Sequence, residues 1–182
     1  MTGAVNPSAV SGDDRDDRDD RDDRNDRNDR NDRDTDRARV LDEHNQVVAS
    51  GGHLLQQLDM RDVDAAGADL AVELTLDGRV SNPRGALQGG IIATLVDIVA
   101  GRAVLAGEPR NAVATSDLSV HYLRGVTAGP ARAVATVVRR GNRSAVVTVD
   151  IFDAGANAGT GTLCAVATAS FSITPAPDDQ VS

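Results

Sequence analysis

The sequence predicts an α+β domain in which an antiparallel sheet wraps around one long central helix. Three observations carry that expectation. The stretch from Gly89 to about Leu105 is apolar on nearly every side, a cleanly alternating segment precedes it, and four Val-, Thr- and Ala-rich segments follow it. A helix with almost no polar face has to be enclosed by other structure. The breaks between the later segments are short and carry Gly, Pro or Asn, which favours antiparallel hairpins over crossovers. One apolar helix followed by a meander of strands then implies a sheet curled around that helix.

The elements follow in order. From Asp13 to Arg37 the chain is a degenerate Asp-Asp-Arg and Asn-Asp-Arg repeat holding thirteen Asp and eight Arg and no apolar residue. Such a segment buries nothing and cannot offset the entropy of ordering its backbone, so residues 1–37 are expected to be a solvated tail. The folded domain is expected over 38–175, with 176–182 a flexible end. Val40 to Leu58 shows a loose helical pattern interrupted at Gly51-Gly52. Asp69 to Asp77 alternates, with Leu70, Val72, Leu74 and Leu76 on one side and Ala71, Glu73 and Thr75 on the other, as a half-buried strand does. Val80 to Gly85 is a turn-rich loop around Asn82-Pro83. The long helix comes next, and the last four strands are expected at Val113–Leu123, Ala131–Arg139, Ser144–Phe152 and Thr162–Ile173. Such a sheet has open edges, and pairing them across a two-fold axis predicts a dimer.

Composition narrows the function classes. The chain of 182 residues has a formal net charge of -9, and its nineteen basic residues are all arginine. Absent lysine, abundant aspartate and small apolar residues suit solubility at high salt. No basic stripe with interleaved aromatics points to nucleic acid. No run of ~18 apolar residues points to a membrane, and Met1 to Gly12 lacks the profile of a signal peptide, so a cytoplasmic protein is expected. The single Cys164 excludes an internal disulfide and a multi-cysteine zinc site, and its alternating apolar setting predicts a buried structural thiol. No Gly-x-Ser-x-Gly element supports a serine-hydrolase elbow.

The chemistry concentrates in Asn82-Pro-Arg-Gly85-Ala-Leu-Gln88-Gly89-Gly90 and the helix that follows. Gln88-Gly89-Gly90 opens that helix without a Ser, Thr, Asp or Asn cap, leaving its first amides without an obvious side-chain partner. Free amides at a positive helix end suit a carbonyl oxygen that becomes negative during attack. Asp97 is the only ionisable residue between Gly85 and Arg102. A carboxylate in such a helix is costly unless paired or put to use, and a salt bridge or backbone contact competes evenly with a catalytic role. Eight residues separate Gly89 from Asp97, or about 12 Å along one helix. A nucleophile must approach its carbonyl to about 3–3.5 Å, so one helix cannot supply both groups to one bond. Two antiparallel helices related by a two-fold axis could.

These residues resemble the signature of the PaaI-type hotdog-fold thioesterases. Thr115-Ser-Asp-Leu-Ser-Val-His-Tyr-Leu-Arg124 resembles that family's next strand, and Val137 to Arg143 resembles the hairpin after it. The resemblance spans roughly Asp69 to Ile173. It implies a hotdog fold, hydrolysis of acyl-CoA thioesters without a metal or other cofactor, and assembly as a homodimer or dimer of dimers. It further implies that Asp97 is the nucleophile or the base that activates water, and that the Gly89 amide polarises the thioester carbonyl. Asn82 would orient substrate or water, and Thr115 would hold Asp97 or that water. The position before Gly-Gly is usually histidine in the family, and here it is Gln88. Glutamine still donates a hydrogen bond but cannot become a cation near neutral pH. Related hotdog thioesterases use glutamine in this neighbourhood.

Gly90 is the further expected backbone contact to a CoA ester. Arg139, Arg140 and Arg143 flank a tight turn and either hold the CoA phosphates or decorate a solvated hairpin tip. Arg124 is a weaker candidate for the same role. His121 is expected to be structural or surface, and His44 and His53 have no metal-like spacing. The competing function is a non-catalytic acyl-CoA-binding protein, which the glutamine at 88 favours. A dehydratase on the same fold would call for a paired Asp and His that the sequence does not contain.

Overall fold

The structure is a computed structural model and describes residues 35, 38–106, 111–159 and 161–175. The expected tail over 1–37 lies outside the described residues except at position 35, and the expected end segment 176–182 lies wholly outside them. The chain divides into two units, 1–57 and 58–182. The first holds helix α1 over residues 38–49 and a 3-10 turn Leu54–Gln57. Its break falls at the glycine pair, with Gly51 in the left-handed region at φ 72°. Val40, Leu41, Val47, Leu54 and Leu55 are exposed.

The second unit contains β1 (Met60–Val63), β2 (Leu70–Leu74), α2 (Gly89–Leu105), β3 (Asn111–Tyr122), β4 (Ala131–Arg140), β5 (Ser144–Asp153) and β6 (Thr162–Pro175). The six strands form one antiparallel sheet in the order β1-β2-β4-β5-β6-β3. A meander of all four later strands is therefore not what forms. β4, β5 and β6 make a meander, while β3 leaves β4 and pairs with β6 at the far edge. The eight residues 123–130 between β3 and β4 are long enough to cross three strand spacings, about 14 Å. A reading of break lengths alone cannot separate that path from a tight hairpin.

α2 packs against β2, β3, β4, β5 and β6, so the sheet wraps around it. Ile92, Leu95, Val96, Val99, Ala100 and Val104 are buried on the helix, against Ala133, Ala135, Val147, Val149, Ile151, Ala169 and Phe171 of the sheet core. Each large apolar side chain enclosed this way contributes roughly 1.5–3 kcal/mol, and a charge at Val99 would break the contact. The many alanines on the sheet let the strands close tightly on the helix.

Two features depart from the expected pattern. β1 stands where no strand was expected, because Met-Arg-Asp-Val is short, charged and at a sheet edge. β2 is buried on both sides: Val72 and Leu74 face the core, while Ala71 and Glu73, of opposite parity, are only 3% exposed. Arg61 and Arg132 lie on the neighbouring strands β1 and β4, in register with Glu73. Their guanidinium groups cover it, donating to Oε2 at 2.6 Å and Oε1 at 2.6 Å. No helix among the described residues is long and apolar enough to cross a membrane.

Candidate active site

The loop before α2 is built by its own polar groups. Asn82 Oδ1 accepts the amides of Arg84 at 2.9 Å and Ala86 at 3.3 Å, the local turn expected of asparagine. Gly85 follows at φ 78°, a conformation that favours glycine. Asn82 thus uses its side-chain oxygen to shape the loop, a task the sequence reading did not assign to it. Leu87 is buried and bridges to Ser81, anchoring the loop to the domain.

Gln88 is the N-cap residue of α2 and makes no side-chain cap bond. Its backbone carbonyl accepts the first helical bond, from Ile92 at 3.1 Å. Its side chain turns back instead, donating from Nε2 to the Ser81 carbonyl at 3.1 Å. Gly89 and Gly90 are exposed. The ring of Tyr122 lies beside Gly89, and its hydroxyl donates to the Gly89 carbonyl at 2.8 Å. The sequence places Tyr122 in the strand motif Thr115–Arg124 without a role of its own, because nothing local marks a tyrosine near a strand end for contact with a distant glycine.

Asp97 lies two turns further along α2 and is partly exposed. Thr115 Oγ1 donates to its Oδ1 at 2.6 Å, a short bond of the kind a charged acceptor makes. A bulge on β3 between Thr115 and Asp117 sets this geometry, and Ser116, the extra residue, donates to the Ser170 carbonyl at 3.1 Å. Bulges of this kind re-aim side chains beside sites. The protein therefore brings Thr115 to Asp97 and keeps Gly89 apart from both.

Arg139, Arg140 and Arg143 are exposed at the β4–β5 turn, which the Gly141 amide closes on the Ser144 carbonyl at 2.8 Å. The Arg143 carbonyl accepts from Ile173, two residues from the Phe171 that pairs with Thr115. Tyr122 pairs with Ala165 at the opposite end of β6. The arginines thus belong to the Thr115–Asp97 end of their own chain, away from its Gly89. Arg124 is exposed, and its amide donates to Cys164. His121 is exposed on β3. Cys164 is buried, as expected of a structural thiol, and burial pushes its pKa up, away from a reactive thiolate.

Among the described residues, two carboxylates outside this region, Asp153 and Glu73, are buried. Asp153 accepts the amides of Thr127 at 2.8 Å, Ala128 at 3.0 Å and Gly129 at 2.7 Å. Burial works against its ionisation, yet these backbone donors hold its pKa below the ordinary value. Burial likewise opposes ionisation of Glu73, and the two arginines overcome it.

Comparison with known proteins gives these observations a setting. Residues 84–159, which include the α2 entry, Asp97, Thr115 and the β4–β5 arginines, match the family model of the thioesterase superfamily. A provisionally named esterase of Saccharolobus solfataricus is 25% identical over 114 residues, 63% of this chain and 81% of the relative. The crystal structure of a Haemophilus influenzae thioesterase superposes with a TM-score of 0.61 at 22% identity, over 76% of this chain and 94% of that one, and shares the fold. A Bacillus halodurans protein solved with CoA is 32% identical, with a TM-score of 0.50, over 57% of this chain and 66% of that one.

Proposed function

We propose that this chain, which matches the thioesterase superfamily model over residues 84–159, hydrolyses an acyl-CoA thioester at a site shared by two copies of the chain. The observation that carries the proposal is the short bond from Thr115 to Asp97, on an otherwise apolar helix whose uncapped glycine entry lies out of its reach. A partner helix running antiparallel across the β3 edge would bring Gly89 of one copy to Asp97 of the other. The 32% identical Bacillus halodurans protein, solved with CoA, supports CoA esters as the substrate class.

In this reading Asp97 takes a proton from water while the water oxygen attacks the thioester carbonyl carbon. The Gly89 amide, with Gly90 beside it, receives the carbonyl oxygen as it becomes negative. The carbon–sulfur bond then breaks, and the departing thiolate of CoA takes up the proton. Attack by Asp97 itself, through an anhydride that water later opens, uses the same groups. Under single turnover in 18O-labelled water, label found in Asp97 identifies the anhydride route, with water opening the anhydride at the aspartyl carbonyl. Thr115 holds the carboxylate in the orientation either route needs. Asn82 shapes the loop that delivers the entry, and Arg139, Arg140 and Arg143 are the cations for the CoA phosphates.

The decisive experiment follows thiol release from short-chain, long-chain and aryl CoA esters by the native chain and by Asp97→Ala. Release by the native chain alone is expected. A second reading, binding of acyl-CoA without turnover, is favoured by one observation: Gln88 has its side-chain amide on the Ser81 carbonyl, not on the site. Saturable binding with no thiol release by a folded dimer would select it.

A further inference from the structure

We infer that Tyr122 is a positioning residue for the entry of α2, held in phase with Thr115 by the bulge at Ser116. Its catalytic consequence rests on the thioesterase reading above, whereas its geometry stands apart from it. The Tyr122 hydroxyl donates to the Gly89 carbonyl at 2.8 Å, and its ring lies beside the Gly89 Cα. The carbonyl of Gly89 and the amide of Gly90 belong to one planar peptide unit. A donor on that oxygen fixes the tilt of the unit and strengthens the N–H at its other end. Thr94 acts in the same way one residue on, with Oγ1 donating to the Gly90 carbonyl at 3.0 Å. Two glycines with no cap would otherwise leave the first turn free to fray. Tyr122 supplies from a neighbouring strand the restraint that Gln88 does not supply as a cap.

The strand has to be out of regular phase for this to happen. Thr115 and Tyr122 are seven residues apart, an odd number, and on an unbroken strand they would face opposite sides of the sheet. The bulge inserts Ser116 and restores the phase. Thr115 pairs with Phe171 and Tyr122 with Ala165, six residues apart and both buried against the core. One strand thereby reaches both functional parts of the helix, Asp97 through Thr115 and Gly89 through Tyr122. β3 is also an edge strand, so pairing with a second copy would stiffen the strand that holds both parts.

The test compares Tyr122→Phe with the native chain and uses His121→Ala, on the exposed opposite face, as control. The expected result is a fall in kcat of about tenfold with KM within about twofold, as for a group whose effect is felt in the transition state. The Gly89 carbonyl carbon and Gly90 amide nitrogen resonances should shift in Tyr122→Phe and stay in place in His121→Ala. Deleting Ser116 should cost at least as much kcat as Tyr122→Phe, because one of the two bonds must then be lost. Unchanged Gly89 and Gly90 resonances in Tyr122→Phe, or native kcat in a folded Ser116 deletion, would overturn the inference. Should the native chain release no thiol, the thioesterase reading fails, and the resonance shifts alone still decide whether Tyr122 holds the helix entry.

Discussion

The two sides of this sheet treat carboxylates in opposite ways. On the β1–β2–β4 side Glu73 is 3% exposed and both its oxygens take arginine donors, and at the far end of β5 Asp153 accepts three backbone amides. On the β3 side Asp97 is partly exposed and, among the described residues, accepts one side-chain bond, from Thr115. A buried carboxylate whose acceptor sites are filled is a structural part, since its charge is costly to leave unpaired. A carboxylate with acceptor capacity left over can take a proton from water. Exposure and spare acceptor capacity together separate the acids that hold the fold from the acid proposed to act.

Substitution should make that contrast measurable, and the largest effect belongs to Asp97. Asp97→Ala is expected to lower kcat for CoA-ester hydrolysis by roughly 10³-fold or more while leaving the thermal midpoint near native. Thermal collapse of that variant would put Asp97 with the structural acids. Asp153→Ala should do the reverse, costing roughly 3 kcal/mol of stability by stranding buried amides. Denaturant unfolding checks it, and activity per folded molecule should survive. The next effect is acid sensitivity. Asp153 and Glu73 have folded pKa values below their ordinary 3.8 and 4.5. A depressed carboxyl contributes stability that is complete above its unfolded value and is lost as pH falls through the folded one. The chain should therefore lose stability below about pH 4.5, and Asp153→Asn should flatten that loss in melts taken across the acid range.

The sequence shows much of the fold because its strongest signals are local. Gly89–Leu105 is helical over the span its apolar run marks, and β4, β5 and β6 begin where their Val- and Thr-rich segments begin. Spacing along α2 alone separates Gly89 from Asp97 by more than a bond-forming distance. What escaped depends on pairing between distant segments. β1 has a charged edge sequence, and β3 goes to the far side of the sheet by a loop whose length permits two paths. Glu73 reads as a solvent-facing residue of an alternating strand until Arg61 and Arg132 are placed across from it. Tyr122 meets Gly89 only because a bulge shifts its phase, and a bulge at Ser116 leaves no mark in composition. The Asn82 side-chain oxygen accepts the amides of Arg84 and Ala86, a local use that the Asn-Pro pair does not distinguish from a contact to substrate or water.

The smallest expected effect tests the closed side of the sheet from its exposed rim. Arg102 forms a two-pronged pair with Asp62 of β1, at 2.9 and 2.7 Å, and ties the last turn of α2 to the edge strand. The hydrogen bonds from Arg102 lower the Asp62 pKa, and the same bonds raise that of Arg102. Both side chains are about half exposed, at 45% and 59%. Water and salt screen such a pair, so Arg102→Ala should cost under about 1 kcal/mol, and less still in molar salt. A double-mutant cycle with Asp62→Ala isolates the coupling. If the coupling reached the size expected for Asp153, the rim would be as closed electrostatically as the interior, and exposure would no longer separate the acids that hold this fold from the one proposed to act.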